Sequence, residues 1–182
     1  MPNRHATLHP AMAYALAADP GTTTNTLDQL ATHREPLIRQ LVARHPHTTN
    51  QTLLKLAHDR SPLVHQALAE RRNTPSPILT TLVQSYTRKR HGHTAPEILT
   101  RLAGHRHTPS HDLVRIYKTG RSLNNPTMLV ALATNPKTPR TILTQLAETP
   151  TEPLVTALIQ NPATPAPLRL HLNLTTPSEE TS

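Results

Sequence analysis

The chain is predicted to be all-α, a solenoid of about six two-helix repeats. Three observations predict it. A threonine returns at Thr22, Thr48, Thr74, Thr108, Thr138 and Thr164, with gaps of 26, 26, 34, 30 and 26 residues. A proline stands twelve positions before each of the first five, at Pro10, Pro36, Pro62, Pro96 and Pro126. Glu152 takes that place in the sixth copy, with Pro153 beside it. Within each copy, apolar residues recur at helical spacing. A fixed period of this size marks a stacked array rather than a single globular core.

The first helix of each copy opens at the proline, where a missing N–H costs nothing because first-turn donors have no helical partner. Ser61 and Asn125 precede two of these prolines as expected N-caps. Apolar residues follow on one face: Val64, Leu68 and Ala69 in copy three, Met128, Leu132 and Ala133 in copy five. Asn135-Pro136 and Asn161-Pro162 mark the stop, since a residue before proline avoids the α region. The second helix starts at the repeated threonine, whose hydroxyl is expected to accept from an orphan N–H as N-cap. Proline follows at Pro75, Pro109, Pro139 and Pro165; copies one and two have Thr23 and Thr49 there. Leu27, Leu30 and Ala31 continue copy one, Leu53, Leu56 and Ala57 copy two, and Leu143, Leu146 and Ala147 copy five. Helices this short are unstable alone in water, so each must stack on its neighbours.

These signals divide the chain into a lead-in over 1–9, a six-repeat array over 10–172 and a non-periodic tail over 173–182, expected to be disordered. Insertions at 88–95 and 122–125 break the rhythm and are expected as loops on the binding face.

The strings Pro36-Leu37-Ile38-Arg39-Gln40-Leu41-Val42-Ala43, Asn135-Pro136-Lys137-Thr138-Pro139 and Leu143-Thr144-Gln145-Leu146-Ala147 resemble the bacterial variant leucine-rich repeat family. The resemblance runs from residue 10 to about residue 172. It implies a right-handed superhelix that alternates an α-helix with a shorter helix, often 3₁₀. It implies no shared catalytic residues. Two departures stand out: the repeats run slightly long, and no cysteine cluster for an iron–sulfur centre is present.

Composition narrows function by exclusion. Phe, Trp and Cys are absent, and Tyr occurs only at Tyr14, Tyr86 and Tyr117, so the core is thin and aliphatic. Without cysteine there is no disulfide, thiol chemistry or thiolate metal site. No apolar run is long enough to span a membrane, and the start of the chain lacks a signal-peptide core. A cytoplasmic location is therefore expected. Charge is divided unevenly. Residues 1–121 hold 16 Lys and Arg against 7 Asp and Glu, while residues 122–182 hold 3 against 4. Twelve of the thirteen histidines also lie in the first part, a division that a uniform solubilising surface would not produce.

Four constellations are candidates. The first is a ridge at the turn after each first helix: Arg44, His45 and His47, then Arg71 and Arg72, then His105, Arg106 and His107, with Lys137 beyond. Stacked repeats would set such charges about 10 Å apart, within reach of a polyanion; ordinary solvated turn residues are the plain alternative. The second is Arg88-Lys89-Arg90-His91-Gly92-His93, following Tyr86 and extended by Tyr117, Lys118 and Arg121. A basic loop beside an aromatic suits charge and stacking against single-stranded nucleic acid, although a solvated loop reads the same way. The third is the histidine spacing His91, His93, His105, His107 and His111, which lacks the acid or thiol of a recognised metal signature. Its milder reading is imidazoles that charge below about pH 6.5 and tighten anion binding. The fourth is catalysis. Asp19, Asp28, Asp59, Glu70, Glu97 and Asp112 are scattered, and no phosphate loop or nucleophile elbow appears. Helical-repeat DNA glycosylases are similar in architecture and basicity, but no matching aromatic and carboxylate set maps onto this chain.

The expectation is a non-enzymatic scaffold with no cofactor, metal site, membrane association or small-molecule substrate. Its partner is expected to be an acidic protein surface, held by Arg44, Arg71, Arg72, Tyr86, Arg88, Lys89, Arg90, Arg106, Tyr117, Lys118 and Arg121. Sequence-tolerant DNA or RNA binding through the same surface is the alternative.

Overall fold

The computed structural model describes residues 9–88 and 94–175. Among these residues there are twelve helices and no strand. The chain divides into two compact units, Met1–Thr94 and Ala95–Ser182.

The first unit stacks three helix pairs: α1 (Pro10–Ala18) with α2 (Thr24–Leu30), α3 (Pro36–Arg44) with α4 (Asn50–Leu56), and α5 (Pro62–Glu70) with α6 (Ser76–Arg88). Helix α3 packs against both α1 and α5. The second unit repeats the plan with α7 (Thr94–Gly104) and α8 (Ser110–Ser122), α9 (Pro126–Thr134) and α10 (Arg140–Leu146), and α11 (Glu152–Gln160) and α12 (Ala166–Thr175). Here α9 packs against α8 and α11, and α11 also packs against α12.

The 26-residue period becomes columns of buried side chains. Ala17, Ala43 and Ala69 form one in the first unit; Leu27, Leu53 and Leu79 form a second, and Leu30, Leu56 and Leu82 a third. Leu102, Leu132 and Leu158 are the corresponding first-helix leucines of the second unit. Each fully buried leucine stabilises the stack by about 1.5–3 kcal/mol, which a seven-residue helix could not gain in isolation.

Pro10, Pro36, Pro62 and Pro126 take the first helical position, as predicted. Pro153 is second in α11, and Pro96 is third in α7, which begins at Thr94. Asn125 caps α9 by accepting from Met128 N–H at 2.9 Å. Ser61 makes no side-chain cap; its N–H instead donates to Asp59 Oδ1 at 2.8 Å.

The repeated threonine is not the N-cap. Its buried hydroxyl points backwards and donates to the carbonyl six residues earlier, in the last turn of the first helix. Thr22 reaches Leu16 O at 2.5 Å, Thr48 reaches Val42 O at 2.5 Å, and Thr74 reaches Leu68 O at 2.7 Å. Thr108 to Leu102 O and Thr138 to Leu132 O are both 2.6 Å. Those carbonyls have lost their helical partners, so the threonine closes the first helix instead of opening the second. The cap is the next residue: Thr23 and Thr49 accept from Thr26 and Thr52 N–H, and Pro109 and Pro139 occupy the cap position with extended backbone. The sixth copy breaks the pattern, because the buried Thr164 hydroxyl makes no hydrogen bond among the described residues.

None of the described second helices is 3₁₀. Helices α2, α4 and α10 have seven α-helical residues, whereas α6 and α8 have thirteen. The longer copies therefore absorb added chain as extra helical turns. In the short copies the next first helix begins soon after the second helix ends; in copies three and four its proline is delayed to Pro96 and Pro126. Arg88, Thr94, Ala95 and Ser122 consequently lie in helices, and α12 runs on to Thr175.

The turn from α8 to α9 is a tight C-cap. Asn124 has φ 48°, in the left-handed region that asparagine tolerates better than most residues. Asn125 N–H donates to Gly120 O at 3.0 Å and Asn124 N–H to Arg121 O at 3.2 Å, which is the Schellman pairing. Gly120 lets α9 approach: a Cβ there would lie 3.1 Å from Met128 Sδ and 3.3 Å from Leu129 Cδ2.

Candidate binding surface

The turn after each first helix leaves carbonyls exposed, and one side chain per repeat answers them. That side chain sits at Asp19, His45 and Arg71 in the first unit and at His105, Asn135 and Asn161 in the second. In the first unit, His45 Nε2 meets Asp19 O at 2.9 Å. Arg71 forks across four carbonyls, with Nη1 2.7 Å from His45 O and Nη2 3.1 Å from Pro46 O as its closest contacts. In the second unit, Asn135 Nδ2 donates to Ala103 O at 2.6 Å and His105 O at 3.1 Å; Asn161 Nδ2 donates to Ala133 O at 2.5 Å and Asn135 O at 3.0 Å. All of these side chains but Arg71, which has no acceptor, accept a backbone N–H two residues on. Gly21 donates to Asp19, His47 to His45 Nδ1, His107 to His105 Nδ1, Lys137 to Asn135 and Ala163 to Asn161.

This column corrects part of the expected ridge. Arg71, His45 and His105 face the preceding turn or their own loop rather than a ligand. Burial holds the Arg71 guanidinium below its ordinary pKa. Nδ1 of His45 and of His105 accepts a backbone N–H, so these nitrogens are committed to the fold.

The other predicted residues fall into three groups. Arg44 is half exposed and pairs with Glu70 at 2.9 Å. Arg72, Arg88 and Arg106 are exposed. Lys89, Arg90, His91 and His93 lie outside the described residues. The tyrosines do not offer stacking faces: Tyr86 is 3% exposed and Tyr117 9%. Both rings are buried, so the aromatic half of the predicted clamp belongs to the core. The structure does bring Tyr117, Lys118 and Arg121 together. They line a shallow depression of about 340 Å³ with Gln145 and Glu148. Arg115, one turn earlier on α8, is exposed as well.

Sequence reasoning missed a polar network in the first unit. Arg39 Nε and Nη2 grip Asp59 at 2.6 and 2.8 Å, and Arg39 Nη1 also donates to His33 O at 2.7 Å. Burial pushes the Asp59 carboxyl up, but the hydrogen bonds from Arg39 and Ser61 outweigh it and hold the group below its ordinary pKa. The Asp59 hydrogen bond raises Arg39 in turn. Nearby, His65 Nδ1 and Tyr86 Oη share a 2.8 Å hydrogen bond, and burial pushes the phenol up to about 12. On the surface, Asp28 is held low chiefly by its hydrogen bond with Lys55 at 2.7 Å. A signal existed: Arg39 and His65 stand at the register position that the buried Ala13 holds in copy one. Among the described residues no group of three or more His, Cys, Asp or Glu could hold a metal ion. No helix among them is long and apolar enough to cross a membrane.

Residues 11–72 match the Leucine Rich Repeat Variant domain. That segment runs from α1 to α5 and is similar to variant leucine-rich repeats. No curated protein and no solved structure matches the chain.

Proposed function

We propose that the protein is a non-catalytic, cytoplasmic repeat scaffold that binds an acidic protein segment through basic residues of repeats two to four. One observation carries the reading. Helix α8 extends well beyond its counterpart α10, and the extension carries Lys118 and Arg121 exposed beside a shallow depression. Arg115 and His111 continue that exposed basic face along α8 at helical spacing. In the first unit, Arg44, Arg72 and Arg88 supply further exposed or half-exposed cations, and Lys89 and Arg90 follow in sequence; Arg106 belongs to the second unit. Arg71, Tyr86 and the Tyr117 ring drop out of the contact set, because each is committed to the fold.

Nucleic acid is the second reading, favoured by the uneven charge of residues 1–121. The burial of Tyr86 and Tyr117 counts against it, since single-strand binding draws on stacked aromatic faces; only Tyr14 is well exposed, at 53%. Fluorescence anisotropy with a labelled Glu/Asp-rich peptide and a labelled single-stranded oligonucleotide separates the two. Replacing Arg115, Lys118 and Arg121 by alanine is expected to weaken peptide binding, whereas replacing Lys137, Arg140 and Arg169 leaves it nearly unchanged. Equal effects of the two triple variants would reduce the interaction to nonspecific attraction. Tighter binding of the oligonucleotide, with a slope of about 0.7 per phosphate contact in log affinity against log salt, would favour nucleic acid.

A further inference from the structure

In the first unit, the turn after α4 and the extended end of α6 line a pocket of about 360 Å³ beside α5. That lies at the small end of the range for small-molecule sites. His58, Asp59, Arg60, His65, Ser85 and Tyr86 are among its lining residues. We propose that it binds a small organic phosphomonoester. This goes beyond the basic-surface reading and does not depend on it, because the α8 cations belong to the other unit.

The chemistry follows from how the charges are paired. Asp59 is the single acid around the pocket, and Arg39 grips both of its oxygens. Its charge is therefore compensated and does not repel an anion. Arg60 is exposed at the rim and pairs with no described residue. It leaves the pocket net positive, and a guanidinium suits the forked geometry of phosphate. His58 Nδ1 donates to Leu54 O at 3.1 Å, which fixes the ring beside the pocket. On the wall, His65 Nδ1 and Tyr86 Oη are held to each other at 2.8 Å. The volume exceeds that of a bare phosphate, leaving room for a polar organic group against Ser85 and Tyr86. The pocket exists because α6 continues past Leu82 to Tyr86; in the seven-residue second helices this wall is missing.

Isothermal titration of the full chain with glucose 6-phosphate, adenosine monophosphate, inorganic phosphate and glucose tests it. Saturable one-to-one binding of at least one monoester is expected, with phosphate weaker and glucose silent. Arg60→Ala should weaken monoester binding about tenfold to a hundredfold, as loss of a charge-assisted hydrogen bond does. Arg34→Ala, an exposed cation of the same unit outside the pocket, should leave it within about twofold, less than the tenfold that 1.4 kcal/mol represents. No saturation by either monoester up to about 10 mM, in the weak-binding range, overturns the proposal. So does equal loss in the two arginine variants, or inorganic phosphate or glucose binding as tightly as the monoester.

Discussion

Replacing Thr138 by valine keeps the side-chain shape and removes the hydroxyl, so it isolates the bond that closes each first helix. That hydroxyl donates to Leu132 O at 2.6 Å. The carbonyl also accepts Asn135 N–H at 3.2 Å, so it keeps a partner when the hydroxyl goes. The loss should therefore approach one ordinary hydrogen bond, about 1 kcal/mol, rather than the larger cost of an orphaned group. Thr164 occupies the same column in the same unit, but its buried hydroxyl bonds to nothing among the described residues. Thr164→Val removes a desolvated polar group without a partner and should be stabilising by about 1–3 kcal/mol. The two variants should thus move in opposite directions. Urea melts followed by circular dichroism measure this; midpoints are the quantity to compare, because repeat arrays depart from two-state unfolding. Shifts of the same sign and size, or no loss in Thr138→Val, would refute the backward-donating threonine. An N-cap role would have made Thr164→Val a loss.

Gly120→Ala should destabilise the second unit by about 1–3 kcal/mol through overpacking, since its Cβ would press on Met128 and Leu129; an unchanged melt would mean that α9 moves aside freely. Asn124→Gly should raise the midpoint and Asn124→Ala lower it, because the left-handed conformation costs an ordinary residue about 1–2 kcal/mol; the reverse order would contradict the Schellman turn. Asp59→Ala should cost about 3–5 kcal/mol near neutral pH by stranding the Arg39 guanidinium. Because the folded Asp59 pKa lies below the ordinary 3.8, that contribution is present above the unfolded value and is lost as pH falls through the folded one. The gap between wild type and variant should therefore narrow in melts taken well below pH 3.8 relative to pH 7; a constant gap would exclude the ion pair as its source.

The repeat register was legible because it rests on local rules. Proline at the first helical turn and leucines at helical spacing depend on neighbours within one copy, and these placed α1, α3, α5 and α9 at their prolines. The candidate surface was legible only in part. Lys118 and Arg121 are exposed as read, but Arg71 looked identical in sequence to Arg72, and its carbonyl partners lie in the preceding repeat. Tyr86 and Tyr117 were read as stacking aromatics beside a basic loop because the inserted chain looked like loop. Once α6 and α8 continue as helices, both residues face inward.

The sequence by itself determined the all-helical class, the copy number and the columns of leucine and alanine, because period and propensity act along the chain. Tertiary structure decided which polar side chains were left for a ligand. A hydrogen-bond donor at a turn finds its acceptor in the repeat before it, as Asn135 and Asn161 do, or across the stack, as Arg39 does with Asp59. Burying a carbonyl without a partner is costly, so the stack claims those side chains first, and which ones it claims depends on packing that no single repeat contains.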